Sequence, residues 1–311
     1  MDPDLDRAAQ YWAEQHLGEA FWRREWQYHP SALAMRRTLQ AGRDRIDWLI
    51  HDKLKSAKIQ RALSIGVGLA IDELQLAELG AIEHFEMIDV NAASLEVVKK
   101  RAAERGLADR VSCRVQDANS SDLGEARYDL IMFTAALHHM TELEKVLSAC
   151  DRALLPGGTL FATEYIGPDC FQYPTEHIAL ANAFYRTLDQ RVKNKWYPDA
   201  LAFPTREEVL ANDPTESVHS SRIVSTMRAI WPRMEFTGLY GPLAFMVSWC
   251  LNYDATYDTE IGRAEMQRLI EADHEAVDAG HLPHYYAHLI ARKPRSRGGE
   301  LMRSVQRALR S

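Results

Sequence analysis

Hydrophobic positions follow two different periods along the chain. Before residue 60, large apolar side chains recur at helical spacing in "AAQYWAEQHLGEAFWRREW" and again in "MRRTLQAGRDRIDWLIHDKL", which predicts helices. From residue 62 onward, short apolar runs alternate with amphipathic stretches. The predicted strands are 62–66, 84–90, 110–117, 128–136 and 159–167, and the predicted helices between them are 70–79, 92–105 and 142–154. This alternation predicts a parallel, doubly wound sheet.

The rhythm changes after residue 167. Residues 168–233 carry helix-like stretches, aromatics and prolines, which indicates a helical lid or substrate insertion. Two late strands follow at 234–241 and 284–294, and we expect the second to run antiparallel at the sheet edge. The predicted fold class is therefore α/β, with a doubly wound, mostly parallel, seven-stranded, Rossmann-like sheet. The predicted divisions are a helical cap segment, a core, the lid, the completion of the sheet and a basic tail, at 1–58, 59–167, 168–233, 234–294 and 295–311.

Composition narrows the class of protein further. The 311 residues are 46% hydrophobic with a formal net charge of −7, which weighs against a general affinity for nucleic acid. The amino terminus lacks the layout of a secretory signal, and no apolar run reaches the ~18–20 residues that cross a bilayer. The four cysteines form no CxxC pair, so we expect reduced thiols and a cytoplasmic location. The arginine-rich tail alone does not predict nucleic-acid binding.

The segment "LSIGVGLA" ends the first predicted strand in a glycine turn. Gly66 and Gly68 fit the start of a dinucleotide-binding fingerprint, but its third glycine is replaced by Ile71. Small residues at 66, 68 and 70 instead describe a bend where the backbone can approach a ligand closely. A nicotinamide or flavin dinucleotide is therefore disfavoured.

With this turn, the sequence resembles the class I S-adenosylmethionine-dependent methyltransferases. Ala70 stands for the family's last turn glycine, and Ser64 stands where an acidic residue is usual. "YDLIMFTAALHHM" and "LLPGGTLFATE" resemble the family's fourth- and fifth-strand segments, so the resemblance covers about residues 60–166. It implies S-adenosyl-L-methionine as cofactor, with S-adenosyl-L-homocysteine as product. It also implies that Asp89 binds the ribose hydroxyls and Asp117 the adenine amino group. The full set of implied cofactor residues is Ser64, Gly66, Gly68, Ala70, Asp89, Val90, Asn91, Asp117, Ala118 and Thr134.

Methyl transfer to a hydroxyl or carbon requires a group that removes a proton. Glu164, at the end of the fifth strand, is our first candidate for this base, and burial among aromatics would raise its pKa. A purely structural carboxylate is the alternative. His138 and His139 are further catalytic candidates, with a structural or cofactor-shaping role as their alternative. No histidine spacing matches a known metal motif, so no protein-held metal is predicted.

Candidate acceptor-binding residues come from the aromatic-rich segments. They are Tyr11, Trp12, Trp26, Tyr165, Phe171, Tyr173, Arg186 and Trp196. The amino-terminal aromatics could instead pack a helix against the lid. The basic and aromatic residues of the insertion could instead form a solvated helix face.

The predicted function is methyl transfer to an enclosed small-molecule acceptor. Candidate acceptors are a natural-product intermediate, a sugar-linked metabolite or a prenyl diphosphate, and oxygen, nitrogen and carbon remain open as the methylated atom. The alternatives are a methyltransferase acting on saccharide, nucleic acid or protein, and a non-catalytic protein that binds the cofactor. No membrane partner is predicted, and a homo-oligomer is possible.

Overall fold

The computed structural model describes residues 4, 7–11, 26–55 and 58–295. Within these residues, seven strands form one sheet in the order β3-β2-β1-β4-β5-β7-β6. The strands are β1 Ile59–Ile65, β2 Ile82–Asp89, β3 Val111–Val115, β4 Tyr128–Thr134, β5 Leu154–Tyr165, β6 Glu235–Gly238 and β7 Tyr286–Arg292. Strands β1 to β5 are parallel, and β7 is antiparallel to both of its neighbours. The predicted fold class is confirmed.

Helices cover both faces of the sheet and its carboxyl edge. Their bounds are α1 Pro30–Leu39, α2 Arg45–Trp48, α3 Ile71–Glu78, α4 Ala92–Glu104, α5 Leu143–Ala153, α6 Thr175–Thr187, α7 Arg206–Asn212, α8 Ile223–Ile230, α9 Pro242–Ser248, α10 Tyr253–Asp258 and α11 Glu260–Asp278. A π-helical turn, Leu49–Lys53, continues α2. No helix in the described part of the chain is both long and apolar enough to cross a membrane.

The central strands are apolar on both faces because each face is covered. In β4, Met132 packs with the layer of α2, α3 and α4, whereas its neighbour Phe133 packs with the layer of α5 and α8. Both side chains are fully buried. A continuous apolar run is the pattern that a strand buried on both sides requires.

A separate hydrophobic cluster forms a cap over the carboxyl ends of the strands. It joins α6, α9 and α11 to Tyr165 and Tyr286, which lie at the ends of β5 and β7. Tyr185 of α6 ties the cap together, because its hydroxyl donates to the carbonyl oxygens of Tyr197 (2.6 Å) and Cys250 (2.9 Å). The cap therefore closes the edge of the sheet at which parallel α/β proteins bind ligands.

Besides shifts of a few residues at strand ends, three differences from the predicted layout concern the architecture. Strand β7 is antiparallel as expected, but it lies between β5 and β6, so the expectation that it forms the sheet edge is wrong. Strand β5 already begins at Leu154, ahead of the predicted 159, because Leu154 pairs with Tyr128 across a register shift. Helix α8, inside the predicted lid, packs on the core beside α5 instead, while α9 and α11 join the cap from outside that range.

One buried carboxylate links two helices of the cap. Asp273 on α11 accepts hydrogen bonds from the backbone N–H groups of Gly241 (2.7 Å), Leu243 (2.6 Å) and Ala244 (3.0 Å) at the start of α9. Its side chain is fully buried, and burial raises its pKa to about 6. These N–H groups have no partner within their own helix, so Asp273 satisfies donors that would otherwise be buried alone.

We expect Asp273→Ala to lower the free energy of unfolding by about 3 kcal/mol, because it leaves buried N–H donors unsatisfied. Urea denaturation measures this change. Glu271→Ala, an exposed position on the same helix, is the control and should shift the free energy by less than about 0.5 kcal/mol. Equal losses in the two variants would contradict the role given to Asp273.

Candidate active site

One cavity of about 1230 Å³ opens at the carboxyl ends of the strands, beneath the cap. This volume exceeds the roughly 300–1,000 Å³ of an ordinary small-molecule pocket, so the cavity has room for a cofactor and an acceptor together. Residues from the ends of β1, β2, β4 and β5, from the segment after β3 and from the cap segment 202–217 line it.

The glycine turn after β1 forms one wall of the cavity. Gly66 has φ +67°, and a Cβ there would lie 2.7 Å from the Cβ of Ala136, so a side chain has no room. Ala70 also adopts a left-handed conformation (φ 49°) directly before α3. The bend therefore exposes backbone to the cavity, as the sequence predicts.

Two carboxylates follow the next strands and face the same cavity. Asp89 accepts hydrogen bonds from the backbone N–H groups of Gly68 (3.0 Å) and Asn91 (2.8 Å), which tie the end of β2 to the glycine turn. Burial raises the pKa of Asp89. After β3, Asp117 accepts from the N–H of Asn119 (2.8 Å). The predicted cofactor residues that line the cavity are Gly66, Gly68, Ala70, Asp89, Val90, Asn91, Asp117, Ala118 and Thr134.

Ser64 does not line the cavity, but it leads to an acid that the sequence did not reveal. Its hydroxyl donates to Oε1 of Glu73 on α3 (2.8 Å), and the Thr134 hydroxyl lies 3.5 Å from the same oxygen. Burial and the neighbouring Asp72 raise the pKa of Glu73 to about 7. Glu73 thus brings a carboxyl group into the cavity wall beside the strand position where the family usually has an acid.

Glu164 and His138 form a buried pair at the ends of β5 and β4. Oε1 of Glu164 accepts from the backbone N–H groups of Ala136 (3.0 Å) and Leu137 (2.8 Å), while Oε2 lies 2.7 Å from Nδ1 of His138. Burial opposes the charge on His138, but the hydrogen bond and the negative charge of Glu164 outweigh it and raise the pKa of His138. Both oxygens of Glu164 are therefore engaged within the protein.

The segment after α7 adds further polar groups to this pair. Oε1 of Glu216 lies 3.8 Å from Nε2 of His138, and its Oε2 lies 4.0 Å from Nε2 of His139. Nδ1 of His139 lies 3.1 Å from the hydroxyl of Thr215 and 3.5 Å from Oδ2 of Asp213. Asp213 and Glu216 were not predicted, because they lie more than 70 residues from the histidines and match no motif.

The predicted acceptor residues divide into two groups. Tyr11, Trp26, Tyr165 and Phe171 line the cavity. Tyr173 does not line the cavity but stacks on Tyr285, while Arg186 and Trp196 are exposed on the surface. Trp12 lies outside the described residues, as does the basic tail beyond residue 295. Further aromatic lining residues, outside this predicted set, are Tyr28, Tyr197, Phe203, Phe245, Trp249, Tyr253 and Tyr286.

The charge of the cavity is predominantly negative. Among the described residues, Arg45 is the single lysine or arginine in its lining, and it forms an ion pair with Asp72 (2.5 Å). The acidic side chains in the lining are Asp72, Glu73, Asp89, Asp117, Glu164, Glu208, Asp213 and Glu216. Such a cavity favours cationic and neutral ligands over phosphorylated ones.

Comparison with known proteins agrees with this geometry. Residues 63–162 match the family model of the methyltransferase domain. The ubiquinone/menaquinone biosynthesis C-methyltransferase UbiE of Cellvibrio japonicus is 29% identical over 133 residues, which are 42% of this chain and 50% of that protein. Methyltransferase GfsG of Streptomyces halstedii is 26% identical over 45% of this chain and 49% of its own length. The chain thus spans about half the length of these curated relatives.

The fold is also found among solved structures. Phosphoethanolamine N-methyltransferase 2 of Haemonchus contortus, in complex with S-adenosyl-L-methionine, aligns with a TM-score of 0.51 and 16% identity. The alignment covers 86% of this chain and 58% of that one. At this identity the likeness concerns the fold alone.

We expect Asp89→Ala to weaken the binding of S-adenosylhomocysteine at least tenfold, because ribose hydroxyls lose a charged acceptor, a loss of about 1.5–3 kcal/mol. Isothermal titration calorimetry measures the affinity. Asp109→Ala, an exposed carboxylate after α4, is the control and should leave it unchanged. An unaltered affinity of the Asp89 variant would remove Asp89 from the cofactor site.

We expect the affinity for S-adenosylhomocysteine to rise about tenfold between pH 6 and pH 8. The Glu73 carboxyl, with a pKa of about 7, is mostly protonated at pH 6 and ionised at pH 8, and only the ionised form attracts the cofactor's ammonium group. The titrations are repeated with Glu73→Gln, which keeps an acceptor for Ser64 but cannot ionise. A pH dependence that persists unchanged in this variant would assign it to other groups.

Proposed function

Because residues 63–162 match the family model of the methyltransferase domain, we propose that the chain is a class I S-adenosylmethionine-dependent methyltransferase that transfers the cofactor's methyl group to a hydroxyl of an enclosed small molecule. In this reaction the sulfur–methyl bond breaks as the oxygen–methyl bond forms, and the sulfur keeps the electron pair. The hydroxyl proton leaves to a group in the cavity or to water. The enzyme's tasks are to align the two reactants, exclude water and accept this proton.

One observation carries this proposal: a single cavity connects the predicted cofactor wall to the polar groups around His138. Asp89 and the glycine turn lie at the ends of β2 and β1, while His138 and Glu164 lie at the ends of β4 and β5. Strand β4 is adjacent to β1 in the sheet. A cofactor held at β1 and β2 would therefore have these polar groups at its side, where an acceptor has to be placed.

The lining argues for the class of acceptor. Phe171, Phe245 and Trp249 contact one another and offer an apolar surface to the cavity. Arg45, already paired with Asp72, is the single lysine or arginine among the described lining residues, so a diphosphate or nucleic-acid backbone finds little to bind. A neutral or cationic acceptor with a hydroxyl and an apolar body fits this surface best. We also propose a cytoplasmic location, from the separation of the four cysteines.

Glu164 acts in this proposal through His138. Its two oxygens are occupied by backbone N–H groups and by Nδ1 of His138, so it is a positioning residue and not the group that meets the acceptor. By accepting a hydrogen bond from Nδ1, it holds the proton of His138 on that nitrogen and leaves Nε2 directed at the cavity. This revises the expectation that Glu164 itself removes the acceptor's proton.

We expect Glu164→Gln to lower kcat at least about 100-fold while the affinity for S-adenosylhomocysteine changes less than twofold. The amide N–H donates to Nδ1 of His138 and so forces the wrong tautomer on the ring. The control is Glu142→Gln, an exposed position nearby, which should retain full activity. Near-normal turnover in the Glu164 variant would place the activating group elsewhere.

The whole proposal is tested with radiolabelled S-adenosylmethionine and a panel of small phenols, alcohols, amines and carbon nucleophiles. We expect label to enter hydroxyl compounds that have an apolar body. Transfer to amines or carbon only would refute the hydroxyl as acceptor. Cofactor binding without transfer to any small molecule, or transfer to RNA or protein instead, would refute the proposed function.

A further inference from the structure

Three potential ligand atoms from His138, His139 and Glu216 lie within 4.8 Å of one another at the cavity wall. The histidines come from the turn after β4, and Glu216 comes from the cap segment after α7, so the fold brings them together across nearly 80 residues. All three side chains are largely buried, with 9%, 17% and 13% of their surfaces exposed. The cluster therefore has a fixed geometry and an opening toward the cavity.

Hydrogen bonds at Nδ1 orient both histidine rings so that each Nε2 lies on the side of Glu216. Nδ1 of His138 donates to Glu164, which directs its Nε2 toward Glu216. The hydroxyl of Thr215 donates to Oδ1 of Asp213 (2.7 Å), so its oxygen accepts from Nδ1 of His139. Nε2 of His139 then also carries a lone pair on the side of Glu216.

Two imidazole lone pairs and a carboxylate that face one point repel each other unless a positive charge lies between them. Carboxylates and hydroxyls that accept from the remote ring nitrogens are the usual second layer around metal-bound histidines. Protons are the competing solution, with His138 as an imidazolium. A proton on Nε2 of His138, however, would provide a positive charge at that nitrogen only. It would not account for Thr215 and Asp213 orienting His139 toward the same carboxylate.

The distances also suit a metal ion. Ligand bonds of about 2.1 Å place two ligand atoms of a tetrahedral site about 3.4 Å apart. The separations of 3.8 Å and 4.0 Å between Glu216 and the two Nε2 atoms are about half an ångström longer, a difference that small side-chain rotations toward an ion remove. Two histidines and one carboxylate are ligands that first-row transition ions bind while they retain open positions.

We infer that Nε2 of His138, Nε2 of His139 and the carboxylate of Glu216 bind one divalent first-row transition-metal ion, with its open positions toward the acceptor side of the cavity. Metal binding itself does not depend on methyl transfer. The role of the ion rests on the proposed function: as a Lewis acid it binds the acceptor's hydroxyl oxygen and lowers the pKa of that hydroxyl. The sequence-based expectation of no protein-held metal is thereby revised.

The test is a titration of untagged, chelator-treated protein with Co²⁺, followed by its visible absorption spectrum, and with Zn²⁺ by competition against a fluorescent chelator. We expect one equivalent to bind, with cobalt absorption bands of nitrogen–oxygen coordination and a rise in melting temperature. His139→Ala and Glu216→Gln should each weaken binding at least 100-fold. Thr215→Val, which removes only the group that orients His139, should weaken it about tenfold.

The controls are His281→Ala and Glu207→Gln, exposed positions at which the same residue types are replaced, and both should bind as the unaltered protein does. Each variant's melting temperature is measured in chelator, where equality with the unaltered protein shows that it is folded. The inference is overturned if the protein binds neither Co²⁺ nor Zn²⁺. It is also overturned if binding is unchanged in both His139→Ala and Glu216→Gln.

Cofactor binding is measured on the same preparations. Cofactor binding without metal binding would overturn the metal site and leave the proposed function standing. Metal binding without cofactor binding would overturn the proposed function and leave the metal site standing. If the ion binds but its removal by chelator leaves methyl transfer at its full rate, the Lewis-acid role is wrong. The metal site itself would then stand without that role.

Discussion

The buried carboxylate of Glu164 is the constraint on which the arrangement of the site depends. With 1% of its surface exposed, it needs hydrogen-bond donors on both oxygens. It obtains them from the backbone of Ala136 and Leu137 and from the ring of His138. This joins the end of β5 to the turn after β4 and fixes the direction of one histidine. Loss of the carboxylate would leave two buried N–H groups unsatisfied and the ring of His138 free to rotate. One side chain therefore stabilises the turn after β4 and also orients the histidine.

Much of the core could be predicted from the sequence because its signals are local. An apolar run of strand length indicates a strand that is buried on both faces. In a parallel sheet, the residue that follows such a strand lies at the carboxyl edge, where ligands bind. The glycine turn was located in this way, the family resemblance pointed to Asp89 and Asp117, and all three line the cavity. The apparent loss of the acid at Ser64 shows the limit of such reasoning, since the carboxyl group is supplied nine positions later, from α3.

The rest of the site depends on contacts between distant segments, which leave no periodic signal. Glu216 and Asp213 reach the histidines only because the cap folds back over the strand ends. The position of β7 has the same origin: its apolar run indicates a strand, but only pairing with both β5 and β6 makes it internal. Arg186 on α6 and Trp196 in a turn are both exposed and do not line the cavity, because charge and aromaticity in a sequence do not say which side of a helix or turn faces inward.

The electrostatics of the cavity connect the cofactor wall with the histidine cluster. Carboxylates outnumber lysine and arginine side chains in the described lining, so the cavity attracts positive charge. At the cofactor wall, the sulfonium and ammonium groups of S-adenosylmethionine would meet this negative charge, to which Glu73 contributes when it is ionised; burial and the neighbouring Asp72 raise its pKa to about 7. At the other end, where Glu216 faces two imidazoles, a metal ion would have the same role. Excess negative charge in the protein thus prepares both ends of the cavity for positively charged ligands, and in the proposed reaction the acceptor hydroxyl would lie between the electrophilic methyl group and the Lewis acid.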